Sequence, residues 1–287
     1  MVEYILGDFL VETGKLTNAQ LEEIVEKMDK VRVKLGLIAV AEGMMTMEQA
    51  DEVNRLQATM DKRFGDIAVE KGYLTDEQIG NLLKAQGNTY LAFAQVLVDS
   101  GIIKMEEIDS MLEEFRKKHS FSKTDMEMLK SDDPDTIVPL YLTPETLEFG
   151  ELIGVTIRTM IRCIDRHAYI GKAELSKSFK ISKGAMQEME GEGGKTSVFA
   201  DADGGLLTIA SVFGQADFTE LDEDSLDAVG EFLNCINGLY VSALSQKGVS
   251  LELMPPELVE NGAECASEKV CCIPMYIKDK KLNFIIF

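Results

Sequence analysis

YILGDFLVETGKLTNAQ (residues 4–20) aligns without a gap on VKLGLIAVAEGMMTMEQ (33–49), KRFGDIAVEKGYLTDEQ (62–78) and LAFAQVLVDSGIIKMEE (91–107), at a step of 29 residues. Gly7, Gly36 and Gly65 hold one column, with Ala94 in the fourth place; Gly14, Gly43, Gly72 and Gly101 hold another. A glycine of the second column can take the left-handed conformation that stops a short helix. Three residues later come Thr17, Thr46, Thr75 and Lys104, and three later still Gln20, Gln49, Gln78 and Glu107. Thr-x-x-Gln is a capping box: the threonine oxygen accepts from one unpaired backbone N–H, and the glutamine reaches back to another. Apolar residues such as Leu21, Ile24, Val25 and Met28 then follow at helical spacing. Residues 1–118 therefore read as an all-α domain of four stacked helix–turn–helix units.

Outward from the repeat, the pattern stops. Residues 119–143 hold Ser131-Asp132-Asp133-Pro134-Asp135 and further polar clusters, and read as a linker, with Ile137–Leu142 docking as a strand. Residues 144–287 read as a duplicated α+β unit, a helix plus three strands, twice. The first helix runs from Thr146 to about His167, with strands at Ala173–Ile181, Ser197–Ala202 and Leu206–Phe213. The second runs from Ser225 to about Gln246, with strands at Ser250–Met254, Val270–Ile277 and Leu282–Phe287. Pro274 inside a strand points to an edge or a bulge. The closing run LNFIIF (282–287) is too apolar to be left as a bare sheet edge.

Composition bounds the function. The 287 residues suffice for two domains. Fifty acidic against 29 basic residues give a net charge of −21, which argues against nucleic acid or an anionic membrane as partner. At 45% hydrophobic the chain is no disordered acidic tail. Five cysteines without a Cys-x-x-Cys pair, and two histidines, offer little for a metal site of its own. No run reaches the length of a membrane span, and MVEYILGDFL lacks the basic start of a secretory signal, so a cytoplasmic chain is expected.

The second helix of the carboxy-terminal half carries the chemistry. In DSLDAVGEFLNCINGLYVSAL (224–244), Leu226, Val229, Leu233, Ile236, Tyr240 and Leu244 form a buried stripe. Asp227, Glu231 and Asn234 fall at i, i+4 and i+7 on another face, which Gly238 continues without a side chain, leaving room for an approaching surface. On spacing alone the plainer reading is the solvated side of an amphipathic helix.

Asp227-x-x-x-Glu231-x-x-Asn234, followed by Pro255-Pro256, resembles the signature of the chemotaxis phosphatases CheC and CheX. The likeness runs from about Thr146 to Phe287 and is stronger to CheX, because dual-site relatives repeat Glu-x-x-Asn in the first helix, where this chain has Glu148-x-x-Glu151. The resemblance implies hydrolysis of the aspartyl phosphate of a CheY-like response regulator. It also implies that the chain needs no cofactor of its own, the divalent metal (Mg) coming from the regulator, and that the chain forms a homodimer through a strand edge of the carboxy-terminal domain, for which LNFIIF (282–287) is the expected strand. Asn234 would orient the attacking water, a task suited to a carboxamide, which donates and accepts hydrogen bonds without repelling phosphoryl oxygens. Glu231 would dock against a cation of the regulator, by family analogy a lysine, with Asp227 and Gly238 completing the docking face. A non-catalytic adaptor using the same face is the alternative.

The repeats resemble the MshEN domain of type II secretion and pilus ATPases, which can bind cyclic di-GMP through paired units. Lys34, Gln57, Arg63 and Gln86 hold the polar positions of units two and three. Lys34 stands where arginine is usual, and lysine lacks the bidentate fork of a guanidinium. A helical scaffold or docking module is the alternative to nucleotide binding.

Overall fold

The computed structural model describes residues 1–28, 30–57, 60 and 62–287. The chain separates into two compact units, Val2–Asp132 and Asp133–Phe287.

The first unit is helical throughout. Its elements are α1 (Val2–Glu12), α2 (Asn18–Met28), α3 (Leu35–Ala41), α4 (Met47–Gln57), α5 (Phe64–Glu70), α6 (Asp76–Ala85), α7 (Thr89–Asp99), α8 (Ile108–His119) and α9 (Lys123–Lys130). Gly14, Gly43, Gly72 and Gly101 all have φ between +65° and +72°, each ending a helix in the left-handed conformation. The capping bonds are present as well. The N–H of Gln20, Gln49 and Gln78 donates to the hydroxyl of Thr17, Thr46 and Thr75 at 3.2–3.3 Å, and each threonine N–H donates to the same glutamine's Oε1 at 2.8–2.9 Å. In the fourth place the Lys104 N–H donates to Glu107 Oε2 at 2.8 Å, opening a 3-10 turn before α8.

The stretch expected to be a linker is largely helical. Ser122 and Asp125 form a capping box at the start of α9, which buries Met126 and Leu129. Ile137–Leu142 is not a strand: α10 (Pro134–Ile137) runs into a 3-10 turn at Val138–Tyr141, with Asp133 capping it and Pro134 preset at its first position.

The second unit sets one antiparallel sheet against helices. After α11 (Gly150–Cys163) come β1 (Tyr169–Ile170), β2 (Glu174–Ile181), β3 (Gly184–Gly191) and β4 (Lys195–Asp203), then α12 (Gly205–Phe213) and α13 (Glu223–Gln246). The strands β5 (Leu251–Leu253), β6 (Glu257–Val259), β7 (Ala263–Ile277) and β8 (Lys280–Ile286) complete it. The strand order is β1-β7-β8-β4-β3-β5, with β2 also on β7 and β6 also on β3.

Three expectations are corrected here. Leu206–Phe213 forms a helix, begun by Gly204 at φ +76° and burying Leu206, Ile209 and Ala210. The missing strand is β3, whose inward residues are Ala185, Gln187 and Met189. LNFIIF is no edge: β8 lies between β4 and β7, hydrogen-bonded to both, so its apolar character reflects burial and gives no ground for a dimer. Pro274 is neither at an edge nor at a bulge, since β7 and β8 keep register from Cys271 to Ile277. The Pro274 carbonyl accepts from the Gly171 N–H, so its missing donor faces the break between β1 and β2, where no ladder bond is lost.

Alternation along the strands divides the core. One face holds Phe199, Phe284, Ile273 and Met275 against the helices. Phe232 of α13 stacks on Phe199 at 6.0 Å and meets Phe213 of α12 at 5.0 Å. The opposite face holds Val198, Ala200, Cys272 and Ile285 together with Ile181 and Cys265, because β2 and β7 bend at a bulge near Ser176–Ser178 and curl over the sheet.

Candidate functional site

Helix α13 positions the sequence-derived residues. Asp222 caps it: its Oδ1 accepts the Ser225 N–H at 3.0 Å, which holds the carboxyl below the ordinary aspartate range, with the Ser225 hydroxyl as the next cause. The inward stripe is as expected, except that Leu244 is half-buried and Phe232 and Asn237 are fully buried beside it. Asp227 and Glu231 are exposed, and neither meets a cation of its own chain among the described residues. Gly238 continues their side of the helix into open space, since a Cβ there would meet nothing within 4 Å. Gly230, one residue before Glu231, is close-packed instead: a Cβ would lie 3.3 Å from Pro256, so the Pro255-Pro256 segment runs tight along this turn of the helix.

Asn234 is half-buried, and its amide is oriented. Gln187 on β3, 1% exposed, donates from Nε2 to Asn234 Oδ1 at 2.7 Å and to the Met254 carbonyl at 2.7 Å. Gln187 Oε1 accepts from Asn237 Nδ2 at 2.8 Å, and Asn237 exchanges bonds with the Ser197 hydroxyl of β4 at 2.8 and 3.0 Å. A backbone carbonyl can only accept, so the Met254 oxygen fixes which end of Gln187 faces it. That in turn requires the oxygen of Asn234 to point inward. The Asn234 Nδ2 group makes no hydrogen bond among the described residues, so its two donors are left for something outside the protein. Each buried member has its partners, and removing one would orphan the next at about 1–3 kcal/mol.

Sequence reading missed Gln187, Ser197 and Asn237. Asn237 carried a signal: it lies four residues after Leu233 and three before Tyr240, a polar residue inside an apolar stripe. The other two have no local signature.

The first helix has no equivalent arrangement. Glu148 pairs with Lys269 at 2.6 Å, which lowers its carboxyl pKa, and Glu151 pairs with Lys247 at 2.6 Å. Among the described residues no group of three or more His, Cys, Asp or Glu is arranged to hold a metal. Cys271 and Cys272 are buried, and burial raises both thiols to about 12.

In the first unit, Lys34 and Arg63 stand at equivalent positions, each extended and immediately before a seven-residue helix, α3 and α5. Phe64 lies against Gly36, at 3.1 Å from where its Cβ would stand, so these helix starts are neighbours. Two of the four polar groups, Lys34 and Gln86, are engaged within the unit. Lys34 Nζ pairs with Asp99 at 2.8 Å, and Gln86 donates to the Val33 carbonyl at 2.6 Å and accepts from Arg32 at 3.4–3.5 Å. Arg63 and Gln57 are exposed. No helix among the described residues is long and apolar enough to cross a membrane.

No curated protein matches the chain. Among solved structures it is similar to the chemotaxis protein CheX from Desulfovibrio desulfuricans, at 16% identity over 49% of this chain and 98% of that one, TM-score 0.43. It is also similar to CheX from Vibrio vulnificus, at 15% over 49% and 97%, TM-score 0.42. A third is the CheX-CheY-BeF3-Mg complex from Borrelia burgdorferi, at 17% over 48% and 95%, TM-score 0.39. Residues 184–276, the segment that holds β3, β4, α13 and the whole Gln187–Asn234 network, match the family described as chemotaxis phosphatase CheX.

Proposed function

We propose that the carboxy-terminal unit hydrolyses the aspartyl phosphate of a CheY-like response regulator. The observation that carries this reading is the oriented amide of Asn234, its oxygen turned inward and its Nδ2 donors left free, one helical turn from the unpaired carboxylate of Glu231. An acyl phosphate already has a good leaving group in the aspartate carboxylate, and the regulator brings the divalent metal. What this chain has to supply is a held water in line with the phosphorus. Asn234 serves as that holder. Glu231 and Asp227 dock on cations of the regulator, with Gly238 leaving the helix surface open to it. Their lack of ion pairs among the described residues supports this, in contrast to Glu148 and Glu151. The acidic chain thus meets a phosphoprotein through its partner's positive charge.

A non-catalytic adaptor would use the same carboxylates but has no need of an oriented amide. The two separate on Asn234→Ala. Loss of turnover with binding kept supports the enzyme; turnover at the wild-type rate removes Asn234 from catalysis.

For the amino-terminal unit we infer a docking or scaffold role built on MshEN-like 29-residue repeats. Support comes from the internal use of Lys34 and Gln86, which an anionic ligand such as cyclic di-GMP would have to displace.

A further inference from the structure

The network behind Asn234 is larger than a capped side chain requires. Four polar side chains, Ser197 of β4, Asn237 of α13, Gln187 of β3 and Asn234 of α13, are hydrogen-bonded in that order, and the first three are at most 1% exposed. An apolar core would be less costly to bury at these positions, because each amide loses its water on folding and regains at most an equal partner. The chain also has a direction. The Met254 carbonyl sets Gln187, and Gln187 sets Asn234. Asn237, held by Ser197, grips the oxygen of Gln187 from behind.

We propose that Gln187 is a positioning residue that holds the Asn234 amide with its nitrogen outward, so that Asn234 donates to the phosphoryl group or its attacking water rather than accepting from it. This rests on the reading of Asn234 given above. The physical reason is the near symmetry of a carboxamide. Without a fixed partner the group rotates between two orientations that differ by exchange of donor and acceptor, and one of them turns an oxygen lone pair toward phosphoryl oxygens. Gln187 removes that ambiguity from beneath, out of reach of the substrate.

Two substitutions in the full chain test it. Gln187→Met keeps the length of the side chain and removes both hydrogen-bonding groups. Gln187→Glu replaces the donor by an acceptor, so Asn234 must turn its nitrogen inward. For both, kcat on a phosphorylated CheY-like regulator is expected to fall at least tenfold, with KM within twofold of wild type. A merely structural role would not divide the two constants in this way. Hydrogen exchange of the side-chain amides, followed by NMR, reads the orientation directly. In the wild type the NH2 groups of Gln187 and Asn237 are expected to be protected and that of Asn234 to exchange freely; in Gln187→Glu the Asn234 NH2 becomes protected. A protected Asn234 NH2 in the wild type overturns the proposal, and so does unchanged kcat in both folded variants. If the wild type itself hydrolyses no phosphoregulator, the phosphatase reading fails and the exchange measurement alone decides the orientation. If the variants do not fold, exchange in the wild type still decides it.

Discussion

Asn234 differs from an ordinary surface asparagine in having one end of its amide spoken for. Asn234→Ala should therefore cut dephosphorylation by about 100-fold or more, equivalent to about 2.7 kcal/mol of barrier. Affinity for the regulator should change less than threefold, because in the proposed reaction the amide acts on water. Glu231→Ala should weaken binding and turnover together, since its exposed carboxylate belongs to the proposed docking face. Steady-state rates and a binding titration with the same regulator distinguish the two patterns. That Asp227, Glu231 and Asn234 share one side of a helix was legible in the sequence because helical spacing is local: positions i, i+4 and i+7 share a side whatever the rest of the chain does. Gln187 and Ser197 were not. They bear on the site only because β3 and β4 pair with Gln187 opposite Ser197 and α13 packs over that pair. Asn237 was a missed signal, a polar residue in a stripe that has to be buried.

The elements were legible where sequence period and environment agreed. Helix α13 began and ended within two residues of its expected bounds because an acidic cap and a long apolar stripe coincide. GLLTIASVF failed because an apolar run of that length fits a buried strand or a buried helix equally, and Gly204 decides between them only through its positive φ. β3 failed because Gln187 sits at an inward position and broke the alternation. The cap of α13 gives a prediction at this scale. Asp222 is held below the ordinary aspartate range by the Ser225 N–H, so its folded pKa is depressed. Its stabilisation is fully present above the unfolded value of about 3.9 and is lost as pH falls through the folded value. Asp222→Ala should lower Tm at neutral pH, and the gap from wild type should close progressively below about pH 4. A gap that is constant down to pH 2 would contradict the cap. The thiols give another. Cys163 and Cys235 are exposed while Cys265, Cys271 and Cys272 are buried, so a thiol reagent should label two cysteines in the folded chain and all five in denaturant. Rapid labelling of Cys271 or Cys272 in the native protein would contradict the interior assignment of β7.

At the scale of the whole molecule, the acidic balance and the helical first half were legible from composition and spacing. The role of the closing apolar run was not, because a central strand and a bare edge look alike until the sheet order is known. The amino-terminal unit predicts little heat with cyclic di-GMP at high micromolar concentration, since the Lys34 charge is met by Asp99. One-to-one binding that weakens with salt, and that Lys34→Ala and Arg63→Ala each reduce at least tenfold, or about 1.4 kcal/mol, would make it a ligand sensor instead. For the carboxy-terminal unit the test is dephosphorylation itself. A CheY-like regulator is phosphorylated in the presence of Mg, and loss of its phosphate is followed with and without the full chain. Loss well above the regulator's own rate is expected with the wild type, and none of that acceleration with Asn234→Ala. Binding of the phosphorylated regulator with no acceleration by the wild type would contradict it and leave an adaptor.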